Sequence, residues 1–225
     1  MILLRYSRYY ILCIVGESFA EWKQRIFFDH GFLREIYPNI WKIDNDLYRS
    51  AQPSPKLFQK FKKQGIRTVI NLRGSREDLV DQMERRVCKN LNLSLIEFKL
   101  HSRGAPTIDQ IFLSKKLFGE IEYPALIHCK SGADRTGLMA TLYLINKGID
   151  VDEAKKQLSF KYLHIRLAKS GILDHFFESF IEYRKKNNKI SFWEWSKKYY
   201  NPKELKISFK INFVRVFFDS LMRRE

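Results

Sequence analysis

Cysteine is scarce in this chain. The 225 residues carry three, Cys13, Cys88 and Cys129, with no CxxC pair and no zinc-type spacing. A disulfide framework and a cysteine-rich metal fold are therefore excluded, and a chain that needs one working thiol suits a reducing compartment. No apolar run reaches the ~18 residues of a membrane span. The start, Met1 to Arg5 and then an apolar patch ending at Val15, has the charge of a leader, but Glu17 arrives where a small-residue cleavage site is needed. The expected location is the cytoplasm, with a peripheral position at the inner face of a membrane as the alternative. Acidic residues are also short: 25 Asp and Glu face 41 Lys and Arg, a formal net charge of +16. That balance fits a phosphorylated substrate, an anionic membrane surface or a nucleic acid, or simply a soluble basic surface. With 45% hydrophobic residues the chain has enough apolar material for a core, which argues against global disorder.

What the chain does have is centred on residues 125–147. Ala125-Leu126-Ile127 reads as a short buried strand, and the periodic run Leu138 to Lys147 as a helix. Between them stands His128-Cys129-Lys130-Ser131-Gly132-Ala133-Asp134-Arg135-Thr136. A strand, a glycine-bearing loop and a helix start make an anion site, because the first turn leaves N–H groups unpaired at the positive end of the dipole. The amides of Lys130, Ser131, Gly132 and Ala133 are placed to cradle a phosphate. Cys129 is the candidate nucleophile. A free thiol titrates near pH ~8.5, and helix starts and cations bring such groups down to ~3.5–7.5. Arg135, six positions on, can hold two phosphate oxygens, and the Thr136 hydroxyl can donate to the departing sulfur. The chemistry is a cysteinyl phosphate that water then releases. The plain alternative is a buried cysteine in a strand–turn–helix crossover with a surface arginine nearby.

His-Cys, five residues, Arg and Thr resembles the signature of the cysteine-based protein-tyrosine and dual-specificity phosphatases. A second stretch, Leu47 to Arg73, with Leu-Tyr-Arg-Ser-Ala-Gln-Pro at one end and Gly-Ile-Arg-Thr-Val-Ile-Asn-Leu-Arg-Gly at the other, is similar to the opening of the bacterial, fungal and plant atypical dual-specificity enzymes. The resemblance implies a phosphatase acting on phosphate monoesters without metal or other cofactor. Its substrate could be a phosphotyrosine or phosphoserine protein, an inositol phosphate or a lipid phosphate. It also implies that Asn71 braces the phosphate loop and Arg73 adds positive potential over the substrate. Read alone, the two are a strand-end cap and a solvated charge.

The leaving oxygen needs a proton. Related enzymes take it from an aspartate on a separate loop, and the corresponding stretch here, Lys99 to Pro106, has no Asp or Glu. Asp134 inside the phosphate loop is the favoured acid, since a negative charge there opposes the ligand and implies a use. Asp109 is the second candidate, although its place in a first helical turn is explained by the dipole. A leaving group of low pKa, such as a pyrophosphate, needs no acid. The missing upstream aspartate also leaves a different class open: a phosphate-binding module that recognises a phosphorylated partner without turnover.

Strand and helix patterns alternate from Ile40 to about Lys186, so the expected fold is α/β, a mostly parallel central sheet flanked by helices on both faces. Helices are expected over 55–64, 76–90, 107–120, 152–160 and 170–186. Residues 1–39 and 187–225 read as basic, aromatic extensions that pack on this domain or lie on a membrane. In the membrane reading Lys23, Arg25 and Arg34 reach headgroups. Nucleic acid is disfavoured because no nucleic-acid-binding motif is present. His164 and Arg166, in the linker before the last long helix, are candidate substrate contacts or simply packed and solvated side chains.

Overall fold

A computed structural model describes residues 18–28, 31–187 and 189–211. Cys13, the apolar start and the aromatic-basic tail beyond Ile211 lie outside the described residues. The chain divides into two compact units, one of residues up to Lys99 plus Ile121–Gly132, the other of Leu100–Glu120 plus the residues from Ala133 onward.

The first unit holds a five-stranded sheet. Its strands are β1 (Trp41–Lys42), β2 (Leu47–Ala51), β3 (Thr68–Asn71), β4 (Ser94–Glu97) and β5 (Ala125–Cys129), in the order β1-β2-β5-β3-β4. Only β1 runs antiparallel, turning into β2 where Asp44 Oδ1 accepts hydrogen bonds from the N–H groups of Asp46 and Leu47. The other pairs are parallel and bring Ala51 opposite Cys129 and Asn71 opposite His128. β5 lies in the middle and is buried at all five positions, as its unbroken apolar run requires. Cys129 therefore stands at the carboxyl end of the central strand, where ligands of such sheets bind.

Two helices, α3 (Pro55–Lys63) and α4 (Leu79–Asn90), bury Phe58, Phe61, Val80, Met83 and Val87 in one cluster with Val69 and Leu126 of the sheet. Pro55 occupies the first position of α3, as expected, although Ser54 makes no side-chain cap bond. α4 starts three residues later than Arg76 because Asp78 Oδ1 accepts from Asp81 N and caps it. Two short helices precede the sheet, α1 (Phe19–Lys23) and α2 (Gly31–Ile36), with a wider turn over Gln24–Phe28 between them. A Ser18–Glu21 capping box starts α1, and Glu21 takes both arms of Arg86 on α4 at 2.6 and 2.8 Å. Arg25 does not reach out to solvent: it is buried and ion-paired with Glu35, which removes it from the set expected at lipid headgroups.

Among the described residues the second unit is helical: α5 (Ile108–Glu120), α6 (Asp134–Asn146), α7 (Val151–Ala154), α8 (Ile172–Lys186) and α9 (Phe192–Lys198), with residues 202–211 also helical. Thr107 and Gln110 cap α5 reciprocally. α6 is buried along nearly its whole length, and Gly137 has a reason to be there: a Cβ would come within 2.6 Å of Leu158. The helix expected over 152–160 is broken, with α7 capped by Asp150 and single turns at Lys155–Gln157 and Phe160–Tyr162, because Leu158 leaves helical geometry to bury itself. Between Phe192 and Tyr200, aromatic side chains pack on α8. Phe192 meets the ring of Phe176 on α8 edge-on, Trp195 and Tyr200 pack tilted against it, and the Tyr200 hydroxyl donates to Pro106 O at 2.7 Å.

Candidate active site

The loop after β5 is held from behind. Lys130 O accepts from Gln52 N at 3.2 Å, Ser131 O from Asn39 Nδ2 at 2.9 Å, and Gly132 O from Arg49 Nη2 at 2.8 Å. In a trans peptide the N–H points opposite to the C=O. Tying three successive carbonyls to the scaffold thus turns the N–H groups of Ser131, Gly132 and Ala133 the other way, which is the geometry of an anion nest. Gly132 alone fits its place, with φ of +72° and backbone atoms of Ser50 and Ala51 at 2.7 Å from where a Cβ would stand. Arg49 is wholly buried in β2, so its fixed charge lies behind the loop. Asn39 is itself aimed by Trp41, whose indole N–H donates to Asn39 Oδ1 at 2.8 Å.

Cys129 is 2% exposed at the mouth of this loop. Its neighbour His128 makes a 2.6 Å hydrogen bond through Nε2 to Glu84, a fully buried carboxylate of α4. Glu84 Oε2 also accepts from Gln52 Nε2 at 2.8 Å and Asn71 Nδ2 at 2.9 Å. Asn71 therefore braces at one remove: its amide N–H goes to Glu84 and its carbonyl accepts from Arg73 N. Arg73 is buried as well and donates to Gln52 Oε1 at 3.2 Å.

The other predicted residues open α6. Arg135 makes no hydrogen bond or ion pair with any described residue, and its buried Nε has no partner. The Thr136 hydroxyl is likewise buried and unpartnered among the described residues. Such groups are rare enough to need a reason. Asp134 is different. Its Oδ1 lies 2.7 Å from His164 Nδ1, whose Nε2 lies 2.6 Å from Asp174 on α8. Burial pulls the His164 imidazole down, but its hydrogen bonds to both carboxylates, and their charges, outweigh it and raise it to about 9. The ring is therefore an imidazolium at neutral pH and donates one N–H to each aspartate. Asp134 remains partly exposed and borders a cleft of about 410 Å³ with Arg103 and Lys169. Asp109 lies exposed in the first turn of α5, with no side-chain partner among the described residues, which suits the dipole role. Arg166 is exposed and pairs with Glu178.

Residues 40–171, more than half of the chain, match the family model described as DSP-PTPase phosphatase fused to NAD+ kinase. The chain belongs to this DSP-PTPase family. Among curated proteins it is similar to the dual specificity protein phosphatase TpbA of Pseudomonas aeruginosa, 24% identical over 53% of this chain and 53% of that protein. It is also similar to the inositol diphosphatase DSP4 of Arabidopsis thaliana, 26% identical over 45% of this chain and 52% of that protein. The chain thus spans about half the length of the curated relatives it matches. The crystal structure of P. aeruginosa TpbA shares the fold, with a TM-score of 0.52 at 21% identity over 63% of this chain and 84% of that one. The resemblance read from the loop and from Leu47 to Arg73 is thereby borne out at the level of family and α/β fold.

Sequence reading missed Asn39, Arg49, Glu84 and Asp174, and gave His164 only as a possible contact. Two of these left a signal. Arg49 is a charge inside an otherwise closed strand, Leu47-Tyr-Arg-Ser-Ala51, and Glu84 falls on the apolar face of α4 between Val80 and Val87. A charge at an inward position has a buried partner.

Proposed function

We propose that the chain is a phosphatase that hydrolyses phosphate monoesters through a cysteinyl-phosphate intermediate. The observation that carries this reading is the pair of unpartnered polar side chains, Arg135 and Thr136, directly after a loop whose three carbonyls are tied back. Cys129 Sγ attacks phosphorus, an S–P bond forms, and the P–O bond to the leaving group breaks. The amides of residues 130–133 and the Arg135 guanidinium take the charge of the transferring phosphoryl group. Asp134, its Oδ1 held against His164, enters this step protonated on its other oxygen, gives that proton to the leaving oxygen and takes one back from the attacking water. Water then attacks phosphorus, the S–P bond breaks, and inorganic phosphate leaves while Thr136 donates to the thiolate. Family membership and the dual-specificity and inositol-diphosphatase names of the relatives support a phosphorylated protein or a phosphorylated small molecule as substrate.

The experiment is phosphate release from an aryl phosphate by the wild type, Cys129→Ser and Arg135→Lys. The wild type turns over, and both variants lose the activity. A serine variant with full activity would remove the mechanism. Stoichiometric phosphate-ester binding with no turnover by the wild type would instead favour the binding-module reading that the acid-free stretch 99–106 suggests.

A further inference from the structure

Between Phe160 and Lys169 the chain does something costly. Phe160 is 77% exposed, Leu163 44%, Ile165 54% and Leu167 74%, four large apolar side chains in water within eight residues. Leu163 also adopts φ of +65°, a left-handed conformation disfavoured for a bulky residue. The stretch is not loose. Tyr162, His164 and Ser170 are buried, and His164 is fastened at both ring nitrogens to Asp134 and Asp174. Alternate residues are thus pinned inward while the apolar ones are held out. Lys161, Arg166 and Lys169 are interleaved with them, and no acidic residue occurs from Phe160 to Leu173. Arg103 and Lys169 border the cleft beside Asp134 and make no ion pair with any described residue.

Exposed apolar side chains on a fixed scaffold mark an interaction surface. Apolar residues alternating with Lys and Arg fit the headgroup region of an anionic bilayer, where one type enters the acyl boundary and the other meets phosphate. A protein interface core, by contrast, is depleted in lysine. The chain's own ends do not complement the patch in charge, because Arg5 and Arg8 outnumber Glu17, and Arg215, Arg223 and Arg224 outnumber Asp219 and Glu225. We infer that residues 160–169 are a docking loop for an anionic lipid surface, with Arg103 and Lys169 receiving a headgroup phosphate at the cleft that Asp134 borders. The substrate class is then a phosphate monoester on a lipid headgroup. Cys129 Sγ takes the phosphoryl group as the ester P–O bond breaks, the headgroup oxygen takes up a proton to become a hydroxyl, and water then breaks the S–P bond to release inorganic phosphate. The substrate part of this inference rests on the phosphatase reading, while the docking part does not.

The test uses the full chain and a Phe160→Asp/Leu167→Asp double variant, neither residue bordering the cleft. Co-sedimentation with vesicles of phosphatidylcholine and phosphatidylglycerol is measured beside turnover of a soluble aryl phosphate, with the melting temperature as the check on folding. The wild type binds the vesicles, the variant binds about tenfold more weakly or worse, and aryl-phosphate turnover and melting temperature stay unchanged. Absence of vesicle binding by the wild type, or undiminished binding by the folded variant, overturns the docking loop. A variant that loses rate on a phosphopeptide but not on vesicles overturns it in favour of a protein partner. If the wild type binds vesicles but hydrolyses no aryl phosphate, the phosphatase reading fails and the docking loop survives.

Discussion

The two sides of the phosphate-loop motif differ in how their polar groups are satisfied. Behind the loop, every carbonyl from Lys130 to Gly132 has a donor, and the donors are themselves held: Asn39 by Trp41, Gln52 by Glu84. In the first turn of α6, Arg135 and Thr136 have nothing among the described residues. Saturated groups fix shape, and a buried group left unsatisfied is kept for something that arrives later. Asp134 is intermediate, with one oxygen fastened to His164 and the carboxylate partly open.

The comparison breaks most completely at the open side. Cys129→Ser should abolish phosphate release, and Arg135→Lys should lower kcat/KM by at least about a hundredfold, since an ammonium lacks the planar fork that matches two phosphate oxygens. Next comes a selective loss. Asp134→Asn should cost about 10²–10⁴-fold on an alkyl phosphate and little on a nitrophenyl phosphate, whose leaving oxygen needs no proton. A normal alkyl rate would move the acid elsewhere. At the saturated side the effect should appear in stability as well as rate: Arg49→Met strands the Gly132 carbonyl and should cost about 1–3 kcal/mol, read by urea unfolding. A purely core change, Phe61→Ala, should cost about 3–5 kcal/mol of stability yet leave the KM of folded protein near normal.

The smallest effect is a pH dependence. His164 stands at about 9 in the folded chain against an ordinary 6.5, so the folded state binds its proton more tightly than the unfolded one. That contribution is fully present below pH 6.5 and is lost as pH rises through about 9. Melting temperatures across that window should fall for the wild type and run flatter for His164→Asn. A parallel fall in both would detach the ring from the stability.

Local pattern carried much of this architecture. The apolar run of β5, the Ser-Pro start of α3 and the glycine-bearing loop each announce themselves in a few adjacent residues, and so does the Cys129–Thr136 spacing. What stayed hidden depends on residues far apart in the chain. Asn39 and Ser131, Arg49 and Gly132, and Glu84 and His128 meet only once the sheet is assembled. His164 was ambiguous for a related reason, since a histidine in a linker reads as solvated until Asp134 and Asp174 are found on either side of it. The first turn of α6 escaped helical periodicity because its residues are polar. The apolar repeat begins only at Leu138.

Glu84 has one further consequence. A single carboxylate receives His128 from the end of β5, Asn71 from the end of β3 and Gln52 from just past β2. These three strand ends cannot loosen separately without stranding a charge in the dark of the protein. Amide exchange at all three should therefore open in concert, and heating should extinguish turnover in one step with the detachment of α4, not by gradual softening of the loop.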